Sequence, residues 1–131
     1  MGANFAEITV RAETMSGAVS YHAGLSAEDA VAENYCRNGY SLRARRWRGA
    51  SGEIDLIFEK NDALTFVEVK KSRSFADAAA RLSTRQMHRI SAAAAVFLAA
   101  MPLGQNTDSR FDAALVDATG AVQIIENAFG V

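Results

Sequence analysis

At 131 residues, with half of them apolar, a single cysteine and a formal net charge of −1, the chain has the size and composition of one globular domain. The same figures exclude intrinsic disorder, an internal disulfide and a metal–thiolate cluster, and they argue against indiscriminate polyanion binding. No run reaches the roughly 18–20 apolar residues of a membrane span, so no membrane partner is expected, and one unpaired Cys36 fits a reducing, cytoplasmic setting.

In chain order, residues 1–22 read as a flexible tail, with Ile8 to Val10 available for local pairing, and residues 23–131 as one domain. Met1 to Ser20 carries Glu7 and Glu13 and lacks a basic start followed by an apolar block, so it does not read as a signal peptide. The first helix starts at Ser26, an N-cap with Asp29 three residues on and Leu25 placed to staple onto Ala30. Ala27, Ala30, Val31 and Tyr35 form its inward stripe, and Gly39 stops it. Glu28, in the first turn beside that stripe, reads from position alone as a helix-dipole carboxylate. Tyr40 to Trp47 alternates Tyr40, Leu42 and Ala44 with Ser41, Arg43 and Arg45, a half-buried strand with a basic outer face. Arg48 to Gly52 reads as a flexible connection.

The stretch Gly52 to Ser72 predicts a hairpin: β-branched and aromatic runs lie on either side of Asn61-Asp62, a pair that tolerates left-handed backbone. If Lys60 and Ala63 flank a two-residue turn, Asp55 falls opposite Glu68, Glu53 opposite Lys70 and Ile57 opposite Phe66, all on one face. The other face then pairs Ile54 with Val69, Leu56 with Val67 and Phe58 with Thr65, which suits a core. Two facing carboxylates repel unless a cation sits between them. A solvated surface hairpin remains the plainer alternative, and an odd register shift would send Asp55 and Glu68 to opposite faces.

Lys71 to Asp77 reads as a polar loop, and Ser83-Thr84 as the cap of a long helix ending before Pro102. Met87, Ile90, Ala94, Phe97, Leu98 and Met101 form its apolar stripe, with Gln86 at the border. Strands over Arg110 to Val116 and Ala121 to Ile125 follow, joined by a turn at Asp117 to Gly120. A crossover helix between strands suits a parallel pair. The sum is an α/β chain with a mixed sheet of about five strands, antiparallel at its start and flanked by helices.

Charge is unevenly spread. Five arginines and no acid lie between Arg37 and Gly52, and Lys70, Lys71, Arg73, Arg81, Arg85 and Arg89 face only Asp77 in the segment after the hairpin. Two basic segments around an acidic hairpin are what a site holding a phosphate backbone against bound cations would look like. Arginines that keep a strand edge from aggregating are the alternative. Arg43, Arg45, Arg46, Arg48, Lys71, Arg73, Arg85 and Arg89 are the candidate nucleic-acid contacts. His22 and His88 read as surface or helix-face residues and Cys36 as a packed thiol.

Glu28 on a first helix, Gly52-Glu53-Ile54-Asp55-Leu56-Ile57, then Phe66-Val67-Glu68-Val69-Lys70, a downstream helix and Arg110-Phe111-Asp112 together resemble the bacterial YraN-like family. That family is grouped with the restriction-endonuclease-like, PD-(D/E)xK nuclease fold, alongside archaeal Holliday-junction resolvases, and the similarity spans about Gly24 to Phe129. The resemblance implies metal binding by Asp55, Glu68 and the Val69 carbonyl, with Mg²⁺ or Mn²⁺ as the cofactor. It implies that Lys70 positions or activates the attacking water, that Glu28 is a helix-borne acid near the metal, and that Gln86 is a polar site residue. Ile54 stands where the superfamily has proline, the loop Lys71 to Ala76 lacks the usual glycine, and Arg85 replaces a usual lysine before Gln86. The implied activity is a divalent-metal-dependent endonuclease acting on branched or structured DNA, as a homodimer because two strands must be cut. The alternatives are a nucleic-acid-binding or protein-interaction module that keeps the fold without cleavage, and a hydrolase of a smaller phosphodiester.

Overall fold

Ser26 caps the first helix, α1 (Ala27–Arg37), as expected: its Oγ accepts from Asp29 N at 3.0 Å, and the chain turns out through Asn38 and Gly39, the latter at φ +90°. The structure, a computed structural model, describes residues 26–129. The tail over residues 1–22, the pairing of Ile8 to Val10, His22 and the Leu25 staple lie outside them.

Five strands follow: β1 (Ser41–Gly49), β2 (Gly52–Lys60), β3 (Ala63–Lys71), β4 (Ser109–Val116) and β5 (Val122–Ile125). They lie side by side in chain order, antiparallel except for the parallel pair β3–β4. The crossover between that pair carries a short helix, α2 (Phe75–Ala80), and a long one, α3 (Thr84–Ala99), capped by Ser83. This is the mixed α/β sheet expected, with its antiparallel meander first.

Each face of the sheet has its own core. On one, α1 buries Val31, Ala32, Tyr35 and Cys36 against Leu56, Phe58, Val67, Ala114 and Val116. On the other, α3 buries Ile90, Ala93, Ala94 and Leu98 against Ile54, Ile57, Leu64 and Phe66. The plainer reading of a solvated hairpin therefore fails: Ile57 and Phe66, assigned to its polar face, are buried under α3. Cys36 is a packed thiol, its pKa raised by burial.

Asn61 and Asp62 both take left-handed φ, 54° and 64°, and set the predicted register from Lys60↔Ala63 to Leu56↔Val67. Beyond Leu56 the ladder stops, so the main-chain pairs Asp55↔Glu68 and Glu53↔Lys70 do not form. Asp55 Oδ2 instead accepts from Val69 N at 2.8 Å. Ile54 crosses to the α3 side and joins Ile57, which corrects the expected Ile54–Val69 face.

Three other expectations need correction. The alternation of β1 breaks at a bulge between Leu42 and Ala44, so Leu42 packs toward α1 whereas Ala44 and Trp47 pack toward α3. The presumed flexible connection is a tight turn, with Gly49↔Gly52 already paired. Side chains are unwelcome there: a Cβ on Gly52 would meet Arg89 Cβ of α3 at 3.3 Å, and one on Gly49 would meet the ring of Trp47, on β1 itself, at 3.0 Å. Lastly, the polar loop after β3 contains α2, capped by Ser74 Oγ accepting from Asp77 N at 3.1 Å. Its signal, Ser-x-x-Asp before three alanines, matches the one read at Ser26.

Candidate active site

The β2–β3 ladder opens where the two strands carry their acids. Asp55 leaves β2 with its carboxylate bound to the Val69 amide, and Glu68 projects from β3 to the side covered by α3. Because Asp55 is anchored on the amide of Val69, the residue after Glu68, the two carboxyl groups crowd the same corner of the sheet, and the charge of Asp55 bears on Glu68. Glu68 is only 4% exposed, and its Oε2 takes two donors, Gln86 Nε2 from α3 and Lys70 Nζ at 3.2 Å. In an extended strand a residue's N–H and C=O project to the same edge. The Val69 carbonyl thus belongs to the Asp55 side.

Electrostatics follow from that crowding. Burial pushes Glu68 up to about 7, the neighbouring Asp55 charge adds to the rise, and Lys70 opposes it. Burial also raises Asp55, while the Val69 N–H pulls it down and the charges of Glu28 and Glu53 push it up. The fold thus holds two acids that resist ionising together, an unfavourable arrangement that an added cation would relieve. The donors are hard carboxylate oxygens, the set that Mg²⁺ or Mn²⁺ takes, and Mg²⁺ characteristically uses one or two protein carboxylates and keeps its waters.

Glu28 approaches this pair electrostatically but does not bond to it; its Oε1 accepts from Arg46 Nε at 3.1 Å. Among the described residues no three side chains of His, Cys, Asp or Glu converge as a metal-holding group. Glu53 pairs with Arg48 at 3.7 Å and not with Lys70.

The candidate nucleic-acid contacts divide into two sets. Every arginine singled out on β1 meets an acid: Arg43 with Glu59, Arg45 with Asp29, Arg46 with Glu28 and Arg48 with Glu53. Those acids come from β2 and the first turn of α1, which the count along the sequence could not see. On the other side, Lys71 ends β3 and Arg85 and Arg89 ride the exposed face of α3 around Gln86, and no ion pair among the described residues engages them. Arg73 is paired with Asp77, four residues on.

Sequence reasoning missed the tie between α1 and β4. Asp112, fully buried, accepts from Tyr35 Oη at 2.6 Å, from the Asn127 amide at 3.0 Å and from Arg110 at 2.9 and 3.1 Å. Arg110 also donates to Tyr40 Oη at 2.8 Å. Arg110 and Asp112, two apart on one strand, share a face, and that spacing was the available signal. The network locks the helix bearing Glu28 to the strand paired with β3.

The family model described as "Uncharacterised protein family UPF0102" matches residues 27–116. The chain is 65% identical over 115 residues to a UPF0102 protein of Cereibacter sphaeroides, covering 88% of this chain and 98% of that relative. It is 54% identical over 121 residues to one of Ruegeria pomeroyi, covering 92% and 98%. Identity to one of Dinoroseobacter shibae is 38% over 117 residues, covering 89% and 87%. The match spans α1 through β4, all the elements that build the acidic site, and the resemblance to the YraN-like family is borne out: the chain belongs to the UPF0102 family.

Proposed function

We propose that this protein is a divalent-metal-dependent endonuclease that hydrolyses DNA phosphodiester bonds, with branched or structured DNA as its substrate and a homodimer as its working form. The observation that carries the reading is the anchoring of Asp55 on the Val69 amide, next in the chain to Glu68, with Lys70 and Gln86 on the Glu68 carboxylate. Asp55, Glu68 and the Val69 carbonyl would hold Mg²⁺ or Mn²⁺. When bound, such an ion supplies acidified water and charge stabilisation on phosphoryl oxygens.

The chain's own residues do the rest. The Val69 amide fixes one oxygen of Asp55, and Gln86 fixes one of Glu68, so neither carboxylate rotates away. Lys70 Nζ, held beside Glu68, orients the nucleophile and steadies charge developing on the phosphate. Lys71, Arg85 and Arg89 offer cations to the backbone on either side of the scissile bond.

The test uses a labelled four-way junction and the linear duplex of the same sequence, with Mn²⁺ or in EDTA. Wild type should cut the junction with Mn²⁺, while Asp55→Ala and Glu68→Ala should lose cleavage and keep binding in EDTA. Equal cleavage by the mutants would sink the assignment. A second reading, a binding module without turnover, draws on the engagement of Glu28 by Arg46 and not by the Asp55–Glu68 pair. It predicts a salt-sensitive shift with no cut product under any metal.

A further inference from the structure

Arg46 is anomalous in its backbone. Its φ is +49°, in the left-handed region that a non-glycine residue rarely adopts and that costs energy when it does. Consecutive strand residues point to opposite faces, yet Arg45 and Arg46 both end on the first turn of α1. Arg45 Nη1 donates to Asp29 at 2.8 Å, and Arg46 Nε donates to Glu28 at 3.1 Å. The left-handed turn at Arg46, in the strand that also carries the bulge between Leu42 and Ala44, brings the second guanidinium round to the same helix.

That guanidinium meets more than Glu28. The charges of Glu53 and Asp55 also act on it, after the larger effect of Glu28. Glu28 is the more buried partner, its side chain 20% exposed against 69% for Arg46. A mostly solvated guanidinium is therefore holding a mostly covered acid, and it can leave without unpacking a core. A left-handed non-glycine residue beside a cluster of acids is where a functional role is looked for first.

We propose that Arg46 is the resident counter-cation of this site, holding Glu28 while no divalent ion is bound and releasing it when an ion enters between the acids. Arg46 is then a positioning residue that acts through Glu28. Released, its guanidinium faces the solvent side of the site, where a phosphodiester would approach. The inference rests on the metal-binding reading above.

The experiment is isothermal titration of EDTA-stripped full-length protein with Mn²⁺ and no DNA. Arg46→Ala should bind Mn²⁺ about two- to fivefold more tightly than wild type, the factor expected from removing one partly solvated ion pair. Arg46→Gly, which suits the left-handed backbone, should do the same and guards against a fold defect in the alanine variant. Arg46→Lys, which keeps the charge, should bind as wild type does. In a Glu28→Gln background the Arg46→Ala gain should shrink to the smaller part that comes from Glu53 and Asp55, because the Glu28 contact is already gone. Unchanged or weaker affinity in both Arg46→Ala and Arg46→Gly overturns the proposal, and a gain that persists undiminished with Glu28→Gln overturns the route through Glu28. Either result leaves the metal site standing if wild type binds Mn²⁺ and Asp55→Ala does not. Absence of any binding that Asp55→Ala abolishes would remove the metal reading and this inference with it.

Discussion

Replacing Glu68 by glutamine removes a buried acid whose ionisation the fold resists, and the pH dependence of stability measures that resistance. Its carboxyl is shifted from 4.5 up to about 7 by burial and by Asp55. At about 1.4 kcal/mol per pH unit, the folded chain loses on the order of 3 kcal/mol when Glu68 ionises. The sign follows from linkage: a raised acid contributes its stability in full below the unfolded value near 4.5 and loses it as pH climbs through about 7. Metal-free wild type should therefore weaken between pH 5 and pH 8, relative to Glu68→Gln, by up to about 3 kcal/mol. Urea denaturation in EDTA at four pH values, read by tryptophan fluorescence, supplies the difference. Added Mn²⁺ should restore stability at pH 8 more than at pH 5, since metal and proton compete for the same oxygens. Parallel pH curves for wild type and Glu68→Gln in EDTA would refute the reasoning.

The Asp112 network gives a sharper structural test. Asp112→Asn leaves Arg110 and Tyr35 without their acceptor charge and should cost about 3–5 kcal/mol, whereas Tyr35→Phe removes one hydrogen bond and should cost about 1–2 kcal/mol; equilibrium unfolding at pH 7 separates the two. For DNA, replacing Lys71, Arg85 and Arg89 together by alanine should flatten the slope of log affinity against log salt by about 2–3. Replacing Arg43, already bonded to Glu59 at 2.7 Å, should leave that slope nearly unchanged in the same gel-shift series.

The sequence carried the fold wherever the determinant was local. Ser26 and Ser83 marked helix starts, Asn61-Asp62 set the hairpin register, and the crossover predicted a parallel pair. What stayed illegible depended on partners distant in sequence. Strict alternation from Asp55 places Ile57 on a polar face. Yet Ile54, Leu56, Ile57 and Phe58, with Asp55 alone interrupting, make the near-continuous apolar run of a strand covered on both sides. The β1 arginines looked like an open basic surface because their acids sit on β2 and α1. For the site, the hairpin pattern singled out Asp55 and Glu68 although their main-chain pair does not form, and the resemblance supplied the roles of Lys70 and Gln86. The Arg46–Glu28 contact required a left-handed arginine, which no strand pattern announces.

The manner in which β2 and β3 part company argues that the site was selected for something other than stability. A chain optimised for folding would continue the ladder past Leu56 and put an apolar or amide side chain at position 68, under α3. Here the ladder ends, a carboxylate takes the place of a main-chain acceptor on the Val69 amide, and a second carboxylate is buried beside it. Lys70 and Gln86 offset part of the cost, but Glu68 remains well above its ordinary range. Around this local conflict the scaffold is firm: α1 is tied to β4 through Asp112, Gly52 lets α3 lie close to β2, and the hairpin turn fixes register from its far end. A rigid frame that holds two reluctant acids together fits cation capture, and fits poorly with a surface that only needs to be folded.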